Sequence, residues 1–293
     1  MTIKKYKDLI KFNISMLVLV TTYIGYYLGL RSEGLFMIEY DSWRTLSLLL
    51  IGTFLSSSGA GVMNQFMERS YDSKMERTKK RPLPNKDISS KSALFLGAFL
   101  SLVGPLFLFF YINFLTGLTS FLTIFIYLFI YTPSKRYTSL NTIIGSVPGA
   151  LPPVGGWAAA TGKISNESLM LFGVLFCWQI PHFLSLAIIY KEDYSRGGFK
   201  MLPSITKNVN YVTFQILFFT MALLYTSIGI YSLDITSYVY AVGALILGII
   251  FLFYSSSILF DYSSRKIKNI FIFSIIYLPV LLIMILIDSY FFN

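Results

Sequence analysis

Eight stretches of this chain hold no charged residue: 12–30, 45–67, 92–134, 137–162, 168–190, 208–233, 235–260 and 269–287. Most approach or exceed the roughly 20 residues that carry a helix across a bilayer. A composition of 55% hydrophobic and 13% charged residues agrees, since an average soluble domain is about 25% charged. The pattern predicts an all-α polytopic membrane protein. Window 92–134 is too long for one helix, and Asn113, Thr116 and Gly117 offer a turn near its middle. Nine transmembrane helices follow.

Loop charge supports that split. With nine helices and a cytoplasmic N-terminus, the inside segments are the N-terminus and the loops near 68–91, 135–136, 191–207 and 261–268. They hold 21 of the 24 Lys and Arg residues, leaving Arg31, Arg44 and Lys163 outside. The positive-inside rule accounts for this bias and for the net charge of +10, so the basic balance does not imply nucleic acid. Lys4, Lys5, Lys7 and Lys11 before an apolar run imitate a signal peptide. The run 12–30 is as long as a full span and shows no small-residue cleavage pattern, so it reads as a retained first helix. Cys177 stands alone in an apolar run, which excludes an intrachain disulfide and points to a buried core residue. With no soluble domain and no linker, residues 1–293 form one transmembrane domain.

The chemistry gathers at the inside ends of the predicted helices. Asn64, Glu68 and Asp72 recur every four residues and share one helical face. Two carboxylates and a carboxamide suit Mg²⁺, which keeps other positions for water and substrate phosphate. Lys74, Arg77, Lys79, Lys80 and Arg81 follow directly and suit a diphosphate. The competing reading is an ordinary helix end whose acids pair at the surface. A second inside loop, residues 190–203, offers Asp193 to complete a metal site, with Lys191, Arg196 and Lys200 for phosphate oxygens and a close turn at Gly197 and Gly198. A solvated charged loop is the alternative there. Because the two largest inside loops follow the second and sixth helices, they hint at a divergent internal repeat.

Lys135 and Arg136 are cations at the same face, or simple topology determinants. Pro148, Pro152 and Pro153 among Gly145, Gly149, Gly155 and Gly156 predict a broken fifth helix. His182, the only histidine, is either a haem or proton-transfer residue or a helix-packing group.

These segments together resemble the UbiA superfamily of intramembrane prenyltransferases, and within it the branch that farnesylates haem. Its first motif, N-x-x-x-D-x-x-x-D followed by M-x-R-T-x-x-R-P-L, is matched at Asn64, Asp72, Met75, Arg77, Thr78, Arg81, Pro82 and Leu83. Further motifs are matched at Tyr131–Thr132, Lys135–Arg136, Thr138, Asn141, Pro152–Pro153 and Gly156–Gly162, then at Pro181–Phe183 and Asp193–Pro203. Two departures stand in the first motif. Glu68 replaces an aspartate and reaches about one methylene farther, and Ser70 replaces another acidic position of this branch. Gly197 follows Asp193 where other branches carry a second D-x-x-x-D, which speaks against an aromatic or lipid acceptor.

The resemblance spans about residues 10–290 and implies a nine-helix fold in the cell membrane, with its site on the cytoplasmic side. It implies transfer of a farnesyl group from farnesyl diphosphate to haem b, with a haem A synthase or terminal oxidase downstream. Asn64, Glu68, Asp72 and Asp193 would hold Mg²⁺. Lys74, Arg77, Arg81, Tyr131, Lys135, Arg136 and Lys191 would hold the diphosphate, and His182 the haem. A non-catalytic transporter remains as an alternative, though its polar site would be expected at the membrane midplane.

Overall fold

The structure, a computed structural model, describes residues 3–37 and 39–291. Every charge-free window is helical, because a chain in lipid must satisfy its own backbone hydrogen bonds. A short α1 (Ile3–Leu9) precedes α2 (Phe12–Ser32), α3 (Tyr40–Asp72) and α4 (Ser90–Tyr111). Next, α5 (Phe114–Phe125) runs through a π-helical turn (Ile126–Tyr131) into α6 (Thr132–Tyr137). Two short helices follow, α7 (Asn141–Ala150) and α8 (Pro152–Thr161), then α9 (Asn166–Ile189). The second half adds α10 (Lys191–Arg196), α11 (Leu202–Ile205), α12 (Val209–Gly229), α13 (Tyr238–Phe260) and α14 (Ser264–Phe291).

Among the described residues, eight helices are long and apolar enough to cross a membrane, the α5–α6 unit counting as one. The protein is a multi-pass membrane protein. The long window divides where expected: Asn113 caps α5, its Oδ1 accepting the Thr116 N–H at 2.9 Å. Window 137–162 holds the expected break. Its two ten-residue halves, α7 and α8, meet at Leu151, where Pro152 and Pro153 open α8. Neither half is long enough to span alone.

The two halves of the bundle cohere differently. Helices α9, α12, α13 and α14 share an apolar core that includes Leu171, Val174, Ile216, Phe251 and Tyr277. The first half relies on close backbone approach. A Cβ at Gly25 would stand 2.0 Å from the Pro153 carbonyl oxygen, and one at Gly156 would stand 2.0 Å from that of Thr22. In lipid, apolar side chains gain little by leaving the solvent, so such small-residue contacts carry helix association. Other glycines of the broken helix, Gly145, Gly149 and Gly155, line the larger of two cavities that make up the candidate site.

Candidate active site

Helix α3 has 33 residues, about 50 Å at 1.5 Å per residue. It outreaches a hydrocarbon core of about 30 Å, so its polar last turns stand at the membrane edge. Asn64, Glu68 and Asp72 are all buried there, with 1–3% of their surface exposed. Buried polar and charged groups need partners, and the basic side chains of Lys135, Arg81 and Lys11 supply them. Lys135 Nζ donates to Glu68 Oε1 at 2.8 Å. Arg81 Nη1 donates to Asp72 Oδ2 at 2.7 Å. Lys11 Nζ donates to Asn64 Oδ1 at 2.6 Å and to the Tyr127 hydroxyl at 3.3 Å. Burial first, and then the Arg81 guanidinium, push the Lys11 ammonium down to about 7, while Glu68 pulls the other way.

Local structure aims these groups. Pro133 lacks an N–H, so the helix ladder slips into the π-helical turn just before it. Thr132 closes that turn onto the Tyr127 carbonyl at 2.8 Å and accepts from Asn64 Nδ2 at 3.0 Å, which fixes the carboxamide with its oxygen toward the cations. Tyr131 lies under the Lys135 ammonium at 4.5 Å. After α3 the chain folds back: Thr78 Oγ1 donates to the Asp72 carbonyl at 2.9 Å, and this turn returns Arg81 to Asp72. Met75 anchors the loop in a small apolar cluster with Ala187, Phe199 and Met201.

A cavity of about 100 Å³ lies over the α3 face, lined among others by Lys11, Asn64, Glu68, Asp72, Arg77, Arg81, Tyr131 and Lys135. It shares Lys11, Arg77, Tyr131, Lys135, Gly145, Phe183 and Tyr194 with a second cavity of about 420 Å³. The larger space runs between α2, α3, α5 and the broken α7–α8 helix. Its wall is mainly apolar, with Ile14, Val18, Leu49, Leu108 and Leu186, and carries hydroxyls from Ser56, Thr119 and Thr123. A charged chamber that opens into an apolar one suits a molecule with an anionic head and a hydrocarbon tail. The oxygen donors also fit Mg²⁺, which takes one or two carboxylates and leaves positions for phosphate. Among the described residues no three His, Cys, Asp or Glu side chains converge; the set is two carboxylates and one carboxamide.

The UbiA prenyltransferase family matches residues 18–277. This chain belongs to that family. The protoheme IX farnesyltransferase of Solibacter usitatus (strain Ellin6076) is 38% identical over 287 residues, covering 97% of this chain and 98% of that protein. The one from Legionella pneumophila (strain Paris) is 34% identical over 289 residues, covering 98% and 96%. A UbiA homologue from Archaeoglobus fulgidus bound to GPP and Mg²⁺ shares the fold, with a TM-score of 0.68 at 14% identity over 96% of this chain and 99% of that one.

Within this UbiA prenyltransferase the site residues expected from sequence divide. Asn64, Glu68, Asp72, Arg77, Arg81, Tyr131 and Lys135 line the charged cavity. Lys74 and Lys191 are exposed and line neither cavity. Arg136 lies against Tyr71 instead, its guanidinium 4.8 Å from the ring and bonded to the hydroxyl at 3.1 Å. Asp193 also stands outside the donor set. Its Oδ1 accepts the Glu76 N–H at 3.0 Å and its Oδ2 the Arg77 N–H at 3.1 Å, and Arg196 pairs with it as well. Burial alone would raise its pKa, but Arg196 and the two backbone N–H groups outweigh that and hold the carboxyl below the usual carboxylate range. Asp193 thus buckles α10 to the loop that follows α3.

His182 does not line either cavity. Its ring stacks between Trp178 at 4.9 Å and Phe271 at 5.1 Å, and Nδ1 meets Ser274 Oγ at 2.8 Å. Helical periodicity is the reason: Trp178 and His182 share the α9 face toward α14, whereas Gln179, Phe183 and Leu186 share the face toward the cavity. Lys11 is the residue that sequence reasoning passes over. In the sequence it is one of four N-terminal lysines and reads as a topology signal; only its place directly before the apolar run sets it apart.

Proposed function

We propose that this protein transfers the farnesyl group of farnesyl diphosphate to a vinyl group of haem b, giving haem O and diphosphate. The junction of the charged and apolar cavities carries the prenyl-transfer reading. The near-full-length likeness to protoheme IX farnesyltransferases supports haem as the acceptor.

Asn64, Glu68 and Asp72 would hold Mg²⁺, which supplies Lewis-acid neutralisation of the diphosphate. Arg77, Arg81 and Lys135 bind phosphate oxygens and stabilise the charge that builds on them as the C–O bond lengthens. The Tyr131 and Phe183 rings lie where the two cavities join, and flank the allylic carbon. A cation–π contact there contributes about 0.5–2 kcal/mol. The vinyl electrons form the new carbon–carbon bond. Water then adds to the neighbouring carbon and loses a proton, which completes the hydroxyethylfarnesyl group. Asp193 acts from outside, by ordering the loop that bears Arg77 and Arg81. Ile14 lines the apolar cavity yet is 57% exposed, so the cavity reaches the outer surface of the bundle there, which supports entry of the tail from the bilayer.

In this proposal residues 1–293 are one catalytic domain in the cell membrane. The paired α7–α8 makes a ninth crossing, the N-terminus is cytoplasmic, and the site faces the cytoplasm. A haem A synthase or terminal oxidase takes up the product. The test combines purified protein, haem b, farnesyl diphosphate and Mg²⁺, with haem products resolved by mass spectrometry. A farnesylated haem whose formation EDTA stops is the expected result. Unchanged haem and full recovery of the diphosphate, from folded protein, would refute it.

A further inference from the structure

The three oxygen-bearing side chains on the cavity face of α3 are each bonded to a cation: Asn64 to Lys11 at 2.6 Å, Glu68 to Lys135 at 2.8 Å and Asp72 to Arg81 at 2.7 Å. Lys11 is the odd member. Glu68 and Asp72 both attract it electrostatically, yet its ammonium sits on a neutral carboxamide oxygen.

Much of the N-terminal segment serves to hold that ammonium in place. Lys11 has left-handed backbone angles, φ 52 and ψ 48, uncommon for a residue with a side chain. Its carbonyl accepts the N–H groups of Ile14 at 2.9 Å and Ser15 at 3.1 Å, and so starts α2. Gln65 Nε2 donates to the carbonyls of Asp8 at 2.7 Å and Leu9 at 3.0 Å. Leu9 is fully buried against Val62, Leu83 and Ile88, and Lys5 pairs with Asp87 at 2.6 Å. The turn is therefore tied to α3 and to the loop that follows it.

We propose that Lys11 is a diphosphate-binding residue whose resting partner is the metal ligand Asn64, so that divalent cation and diphosphate load as a pair. This rests on the reading of the α3 face as a Mg²⁺–diphosphate site. A divalent ion held by this face would need the Asn64 oxygen for itself. An ammonium on the same oxygen repels it, and must leave. A diphosphate gives that ammonium a stronger partner within reach of its flexible stem. Metal alone must displace a cation that has nowhere to go, and diphosphate alone must draw Lys11 off Asn64. Together, each relieves the cost of the other, and the coupling is reciprocal.

The test uses the full-length protein in detergent, Mn²⁺ followed by electron paramagnetic resonance, and inorganic pyrophosphate. For Lys11→Met the expected changes have opposite signs: Mn²⁺ alone binds about fivefold tighter, and Mn²⁺–pyrophosphate binds about tenfold weaker. Lys11→Arg keeps both wild-type values within about twofold. A Lys11→Met protein that leaves either affinity unchanged, or shifts both in the same direction, overturns the proposal. Amine labelling of the wild-type protein, read by mass spectrometry, gives a second measurement free of folding effects. Mn²⁺ alone should increase labelling of Lys11, and added pyrophosphate should suppress it; indifference to both overturns the proposal. If wild-type protein binds no Mn²⁺ even with pyrophosphate, the site reading itself fails, and the role of Lys11 with it.

Discussion

Replacing Asp193 by asparagine separates two roles that the sequence leaves open for this carboxylate. As a metal ligand, Asp193 would be needed for the chemical step. As a buckle, it holds the Glu76 and Arg77 N–H groups at 3.0 and 3.1 Å, and so places the loop that carries Arg77 and Arg81. Asparagine keeps one carbonyl oxygen for one N–H but turns an NH₂ group toward the other. A hydrogen bond to a charged acceptor contributes about 1.5–3 kcal/mol. The low end applies, because the loop stands at the aqueous edge, where solvent screens the charge. A loss of about 1.5 kcal/mol is roughly tenfold in the ordered loop population. The KM for farnesyl diphosphate should therefore rise by up to about tenfold, while kcat at saturating substrate changes by less than about twofold. Steady-state kinetics at saturating haem and a titration of Mg²⁺ dependence measure both. A collapse of kcat with a shifted Mg²⁺ requirement and an unchanged KM would refute the buckle and restore Asp193 to the metal.

Two further predictions concern α3 and the helix contacts. Asp72→Ala removes one of two carboxylates from the donor face, and should abolish turnover and Mn²⁺–pyrophosphate binding while the protein still elutes as a folded species; wild-type-like activity would remove the metal role. Gly156→Ala places a Cβ 2.0 Å from the Thr22 carbonyl oxygen, a backbone atom that cannot rotate away. Overpacking of this kind costs about 1–3 kcal/mol, so the melting temperature in detergent should fall; an unchanged value would show that α2 and α8 can separate freely.

The helices were legible because their cause is local. A charge-free run of about 20 residues in lipid has to be helical, and the windows 12–30, 45–67 and 168–190 became α2, α3 and α9. The break in the fourth window was equally legible, since proline removes a backbone donor wherever it stands. The face shared by Asn64, Glu68 and Asp72 follows from four-residue spacing on one helix, and the structure keeps it intact. Charge alone was a weaker guide. Lys74 and Lys191 carry the same charge as Lys135, yet they point into water, because a loop's sequence does not say which of its side chains turns inward.

Everything that depends on neighbours along the chain was therefore readable before the fold: a helical membrane bundle, the point where one helix breaks, and three oxygen donors on one face. Contacts between residues far apart in the chain were settled by packing alone. Lys11 meets Asn64 across 53 residues, and Lys135 meets Glu68 across 67. His182 faces α14 rather than the cavity, and Asp193 fastens a loop 117 residues away. A side chain's direction on a helix is fixed only relative to its own helix. Which neighbour it meets depends on how the helices pack, and in this protein that packing is set by backbone contacts at glycines such as Gly25 and Gly156.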